Sequence, residues 1–311
     1  MAAFRPQDAL ASSTWSFPAT GTTWRVSTAA PLAPALREEI TALVEAFEQT
    51  WSRFRPSSLV SRAARGEMGP GPISLGLPAG SAAMLDLYDV FHRLTEGRVD
   101  PLVGNDLVEL GYDPLLSFTV RDGAPERLGA VRGRPTWAQA VEHEGDALTL
   151  REPALIDIGA VGKGFLADLI GQTLEAAGAG DYLIDGSGDL LVHCARPVRI
   201  GLEQPGRPGF VVGAVEISRG AVCGSGVDRR AWGEGLHHIL DAVTGRPVQP
   251  VAAAWAMAPT CALADGLATA LFTTAPERLA SEIAYDFALL RTDGSASTSR
   301  TFHRLGELYT S

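Results

Sequence analysis

Lys163 is the only lysine in this chain of 311 residues, and it lies in the string Asp157-Ile-Gly-Ala160-Val-Gly162-Lys163-Gly164-Phe165. A short apolar run ends there and a helix begins. Three glycines beside one carboxylate and one ammonium at a strand-to-helix junction suit a phosphate-bearing ligand. Glycine lets the backbone come close. The first helical turn offers unpaired N–H groups and a positive dipole end, and the ammonium adds a point charge. A C-cap glycine followed by a surface lysine accounts for the same letters.

Asp265 and Thr269 are four residues apart in an apolar, helix-like segment, which puts them on one face, one turn apart. A carboxylate and a hydroxyl are hard oxygen donors of the kind Mg²⁺ takes together with substrate phosphates. An Asp favoured by the helix dipole and a Thr bonded to its own backbone would read the same way. His237 and His238 are adjacent on a short strand, so they point to opposite faces. One of them can serve as a general base, but a two-histidine metal clamp is disfavoured. The other four histidines have no obvious partners. Arg98-Val99-Asp100-Pro101-Leu102-Val103-Gly104 is a rigid loop in which Asp100 could bond a ligand. Asp185-Gly186-Ser187-Gly188-Asp189 is a glycine turn, readable as a wall of N–H donors or as a plain hairpin.

The elements that must position these residues can be read in outline. Hydrophobic residues make up 46% and charged residues 20%, which is ordinary for a globular chain with a sizeable core. The net charge of -10 argues against a nucleic-acid surface. The three cysteines form no CxxC pair, so they read as buried free thiols. The first residues lack a signal peptide, and the apolar stretch Val251 to Ala264 is too short and interrupted for a membrane span. The expectation is a soluble, cytoplasmic protein. Residues 1–16 read as a flexible tail and 17–311 as a single domain.

Apolar spacing predicts helices from Pro34 to Phe54, from Ser81 to Thr95, from Gly162 to Ala177, from Leu263 to Thr273 and from Pro276 to Ala284. Short strands are expected at 21–27, 147–150, 182–184, 190–193, 198–201, 210–217, 221–223, 238–240, 287–291 and 301–304, with a loop at 66–80. Helices with clustered short strands indicate an α+β fold with mainly antiparallel sheet.

Taken in order, the strings resemble the FAD:protein FMN transferase family, the ApbE-like flavin transferases. Ser52-Arg-Phe-Arg-Pro-Ser-Ser-Leu-Val-Ser-Arg62 is similar to the family's "FRP-S-LSR", and Val99-Asp-Pro-Leu-Val-Gly104 to "FDPTVG". The Lys163 string resembles "DLGGIAKGY", and Gly186-Ser-Gly-Asp189 resembles a "GGD" turn. Gly224-Ser-Gly226, His238-Ile-Leu-Asp241 and Thr244-Gly-Arg-Pro247 resemble "SG…HILDP-TG-P". Ala264-Asp-Gly-Leu-Ala-Thr-Ala-Leu271 resembles "ADALATAL". The match runs over roughly residues 19 to 275, and its shared order is more specific than any one motif.

The resemblance implies a T-fold-like architecture and Mg²⁺-dependent transfer of FMN from FAD to a threonine hydroxyl of an acceptor protein, with release of AMP. It implies Asp265, Thr269 and the Ala160 carbonyl as metal ligands. It places Thr20, Arg98, Val99, Asp100, Asp157, Lys163 and Ile239 at FAD-contacting positions, and makes His238 the base, or a positioning group, beside Asp265. Thr20 stands where the family usually has a flavin-packing methionine, and Val99 where it has an aromatic residue, so the flavin-packing surface is thinned. An FAD pyrophosphatase and a non-catalytic FAD-binding protein are the alternative expectations.

Overall fold

The computed structural model of the chain describes residues 13–69 and 71–309. It opens with the hairpin β1 (Ser13–Ala19) and β2 (Thr22–Thr28), then α1 (Pro34–Trp51), α2 (Leu59–Ala64), β3 (Ile73–Gly76) and α3 (Ala82–Leu94). Short helices α4 (Gly104–Glu109) and α5 (Trp137–Ala140) bracket an irregular segment that leads to β4 (Val141–Glu144) and β5 (Ala147–Leu150). Helix α6 (Gly162–Ala176) precedes β6 (Tyr182–Asp185) and the long hairpin of β7 (Asp189–Glu203) and β8 (Val211–Gly226). Two-residue strands β9 (Ala231–Trp232), β10 (Leu236–His237), β11 (Leu240–Asp241) and β12 (Arg246–Pro247) follow. The chain then forms β13 (Val251–Ala258), α7 (Cys261–Ala270), α8 (Pro276–Ala280), β14 (Asp286–Arg291), β15 (Ala296–Thr298) and β16 (Gly306–Leu308).

The main sheet runs β1-β2-β6-β7-β8-β13-β14-β15, with β16 added on β8, and its pairings are antiparallel. This is the α+β class expected. Alternation divides the sheet's side chains. Ala221 and Cys223 face the main core with α6 and α7, whereas Val222, Trp255 and Met257 face a second cluster closed by Phe302. A third, smaller cluster gathers Leu107, Leu110, Tyr112, Leu128, Trp232 and Leu240 from the irregular segment and the two-residue strands.

Helix α1 begins with Pro34 at its first turn and buries Ile40, Val44, Phe47 and Trp51, the face its spacing requires. Helix α7 is buried almost all round, with Ala262, Ala264, Leu267 and Ala268 in the core. It lies close on α6 because Gly164 has no side chain: a Cβ there would stand 2.2 Å from the Cys261 carbonyl oxygen. Asp168 of α6 then caps α7, accepting from Cys261 N and Ala262 N at 2.8 Å each.

Several expectations are corrected. Residues 1–12 of the anticipated tail lie outside the described residues, but Ser13 to Ser16 pair with β2 as part of β1. The 66–80 loop contains β3, which pairs with β5. Residues 190–193 and 198–201 belong to one strand that shifts register between His193 and Val198. The strand expected at 238–240 is broken: His238 and Ile239 fall between β10 and β11. Residues 302–304 form a 3₁₀ turn instead of a strand. The apolar stretch after Val251 is strand β13 running into α7, and among the described residues no helix is long and apolar enough to cross a membrane.

Candidate active site

A cavity of about 1040 Å³ opens between the main core and the small third cluster. Every site residue anticipated above lines it: Thr20, Arg98, Val99, Asp100, Asp157, Ala160, Lys163, His238, Ile239, Asp265 and Thr269. Its volume is at the upper end of the roughly 300–1,000 Å³ found for small-molecule sites, which is room for a dinucleotide.

The close approach of α6 to α7 sets the charged centre. Gly164 N donates to Asp265 Oδ2 at 3.0 Å. Lys163, one residue earlier, pairs with Asp189 at the start of β7. Burial pulls the Lys163 pKa down, but the Asp189 and Asp265 carboxylates outweigh it and leave the ammonium held above its ordinary value. Burial, and then the neighbouring Asp189, push Asp265 up to about 8. Asp189 is 1% exposed, and its Oδ1 has no hydrogen-bond partner among the described residues. Two buried carboxylates therefore share one ammonium, a charge balance that a cation would complete.

Among the described residues no group of three or more His, Cys, Asp or Glu side chains converges as a metal cluster. Asp265, Thr269 and Ala160, the hard-oxygen donors anticipated for Mg²⁺, line the same cavity. Cys223 and Cys261 are buried free thiols beneath this centre, with their sulfurs 3.4 Å apart.

Asp157 is engaged from both sides. Its Oδ2 lies 2.5 Å from Arg53 Nε, and its Oδ1 accepts from Gly159 N at 2.6 Å. Arg53 also donates to the Tyr112 carbonyl at 2.7 Å and lies over the Phe54 ring. The Asp100 carboxylate accepts from Leu102 N at 2.8 Å and Trp137 N at 2.9 Å, inside the protein.

Arg98 pairs with Asp241 at 2.8 Å, joining the loop wall to β11. Val99 and Ile239 are buried aliphatic surfaces. Thr20 forms the β1–β2 turn with Gly21, both at positive φ, which suits a tight hairpin. Its amide donates to Glu48 at 2.5 Å, and its hydroxyl accepts from Trp24 Nε1 at 3.1 Å.

His238 is held neutral. Burial, then the positive Arg230 and the neighbouring His237, lower it to about 4. Its Nδ1 has no partner among the described residues. Arg53, Asp189, Arg230 and the aromatic group of Tyr112, Phe118 and Trp232 were not singled out from the sequence. Arg53 and Asp189 lay inside quoted strings, but Arg53 meets Asp157 across 104 positions, a pairing without a local signal.

The ApbE family model matches residues 20–288, and the chain belongs to that family. It is 28% identical over 278 residues to the FAD:protein FMN transferase of Klebsiella pneumoniae (strain 342), covering 83% of this chain and 77% of that one. Against the FAD:protein FMN transferase of Escherichia coli (strain K12) the identity is 27% over 279 residues, with the same coverage of 83% and 77%. The solved flavin transferase ApbE from Vibrio cholerae superposes with a TM-score of 0.78 at 25% identity, over 94% of this chain and 98% of that one.

Proposed function

We propose that this protein is an FAD:protein FMN transferase that uses Mg²⁺ to move FMN from FAD onto a threonine hydroxyl of an acceptor protein, releasing AMP. The observation that carries the reading is the single cavity in which Lys163, the Asp265–Thr269–Ala160 oxygen set and His238 meet. The names of the relatives support the donor and the transferred group.

In this reading Asp265, Thr269 and the Ala160 carbonyl hold the metal, which when bound supplies neutralisation of phosphoryl charge. Lys163, aimed by Asp189, offers its ammonium to the diphosphate bridge. His238, neutral and desolvated, accepts the threonine proton at an unprotonated imidazole nitrogen. The threonine oxygen forms a bond to the FMN-side phosphorus. The phosphorus–oxygen bond to AMP breaks, and AMP carries away the electron pair.

The test is incubation of the protein with FAD, Mg²⁺ and an acceptor bearing a Ser-Gly-Ala-Thr segment. Flavin fluorescence that survives on a denaturing gel is the expected result. AMP and free FMN without labelling would make the protein a pyrophosphatase. Tight FAD binding with no product would make it a binding protein.

A further inference from the structure

We propose that Phe118 is the residue on which a planar ring of FAD stacks in this chain, filling the part that Val99 and Thr20 leave open. The inference rests on the FAD reading above. Val99 is a buried aliphatic side chain, and the Thr20 hydroxyl is occupied by Trp24, so neither offers a flat surface. The cavity has another source of one. Residues 112–120 form a loop between α4 and α5 that sends Tyr112, Leu116 and Phe118 to the cavity wall. Phe118 is 46% exposed. It lies 12° from parallel with Tyr112 and 5.8 Å from Trp232, two buried rings that back it.

The loop is built to hold that ring in place. Leu116 and Phe118 both sit in the left-handed region, at φ 51° and 49°, which bulky side chains rarely adopt. Such backbone persists where the surroundings impose it, and it gathers at ligand-binding sites. Asp113 imposes it from one side, accepting from Leu115 N at 2.9 Å and from the Ser117 hydroxyl at 2.6 Å. Gly111 does so from the other: its carbonyl accepts from Phe118 N at 2.8 Å, and a Cβ on it would stand 2.4 Å from Thr119 N. A preformed, exposed aromatic ring at the edge of a dinucleotide-sized cavity gains most from covering a flat heteroaromatic partner. FAD has two such rings, flavin and adenine.

The test measures dissociation constants for FAD, FMN and ADP with Mg²⁺ present and the acceptor absent. Phe118→Ala is expected to weaken FAD about tenfold, and Phe118→Tyr to bind as the unchanged protein does. Leu115→Ala is the control, because Leu115 is 88% exposed on the same loop and does not line the cavity. A loss shared with FMN assigns the flavin, and a loss shared with ADP assigns the adenine. The proposal is overturned if Phe118→Ala binds FAD within twofold of the parent, if Leu115→Ala loses as much, or if the parent does not bind FAD. A parent that binds FAD without transferring FMN sinks the transferase reading alone.

Discussion

The Gly164 amide donates to Asp265 Oδ2 at 3.0 Å, and the same glycine leaves no room for a Cβ against the Cys261 carbonyl. One missing side chain thus sets both the spacing of α6 and α7 and the orientation of the carboxylate assigned to the metal. The ammonium of Lys163 and the carboxylate of Asp265 share a wall because two helix starts are pressed together.

Gly164→Ala is therefore expected to destabilise the fold by about 1–3 kcal/mol, the usual range for overpacking. It should also weaken Mg²⁺ binding by turning Asp265. Urea unfolding and calorimetric titration with Mg²⁺ measure the two effects. Stability equal to that of the parent would mean that the helices separate freely at this point.

Asp265→Asn removes the metal-ligating charge while keeping the shape. Because burial and Asp189 already push this carboxyl up to about 8, the neutral amide should fold at least as well as the parent in the absence of metal. Mg²⁺-dependent turnover should fall at least about a hundredfold, in line with the loss of an electrostatic group from a water-excluded site. Retained turnover would remove Asp265 from the metal set.

Arg53→Met breaks a pair whose arginine side chain is only 3% exposed. It leaves Asp157 Oδ2 and the Tyr112 carbonyl without the Arg53 donor, so a loss of about 3–5 kcal/mol is expected. Thermal melts report it, and a change below about 1 kcal/mol would show that Asp157 finds another partner.

The pH dependence follows from His238, whose folded value of about 4 lies below the ordinary 6.5. The unfolded chain takes up a proton at this residue first. The stability contributed by the neutral ring is therefore complete above 6.5 and is lost as pH falls from there through about 4. For catalysis at saturating Mg²⁺, which would hold Asp265 ionised, the base form of His238 persists at pH 5 to 6, so the acid limb of kcat/KM should fall near 4. After burial, Arg230 is the next largest cause of the shift, so Arg230→Gln should move that limb upward. A limb at 6.5 in the parent, or one that Arg230→Gln leaves in place, would take the base role from His238.

The parts legible in the sequence share a cause: the signal lies within one element. Helix α1 announces itself by the spacing of Ile40, Val44, Phe47 and Trp51. Asp265 and Thr269 are one turn apart whatever surrounds them. Strand β13 was missed because Val251 to Ala258 is buried along nearly its whole length, which erases the alternation that marks a half-exposed strand. The inward turn of the Asp100 carboxylate could not be read, since its partner Trp137 N is 37 positions away. The 112–120 loop has no periodicity, and its form comes from hydrogen bonds to Asp113 and Gly111. The cavity itself lies between clusters drawn from distant segments, so its depth is a property of assembly.

The scarcity of lysine has a practical outcome. With a single ε-amino group in the whole polypeptide, and that group tethered to Asp189 on the cavity wall, side-chain acylation has one address, and the ion pair that keeps the amine protonated makes it slow. Mass spectrometry after prolonged exposure to an amine-reactive ester, with the α-amino terminus counted apart, would follow modification at that one side chain, and its slowing by nucleotide would be read without a label, a mutant or an acceptor.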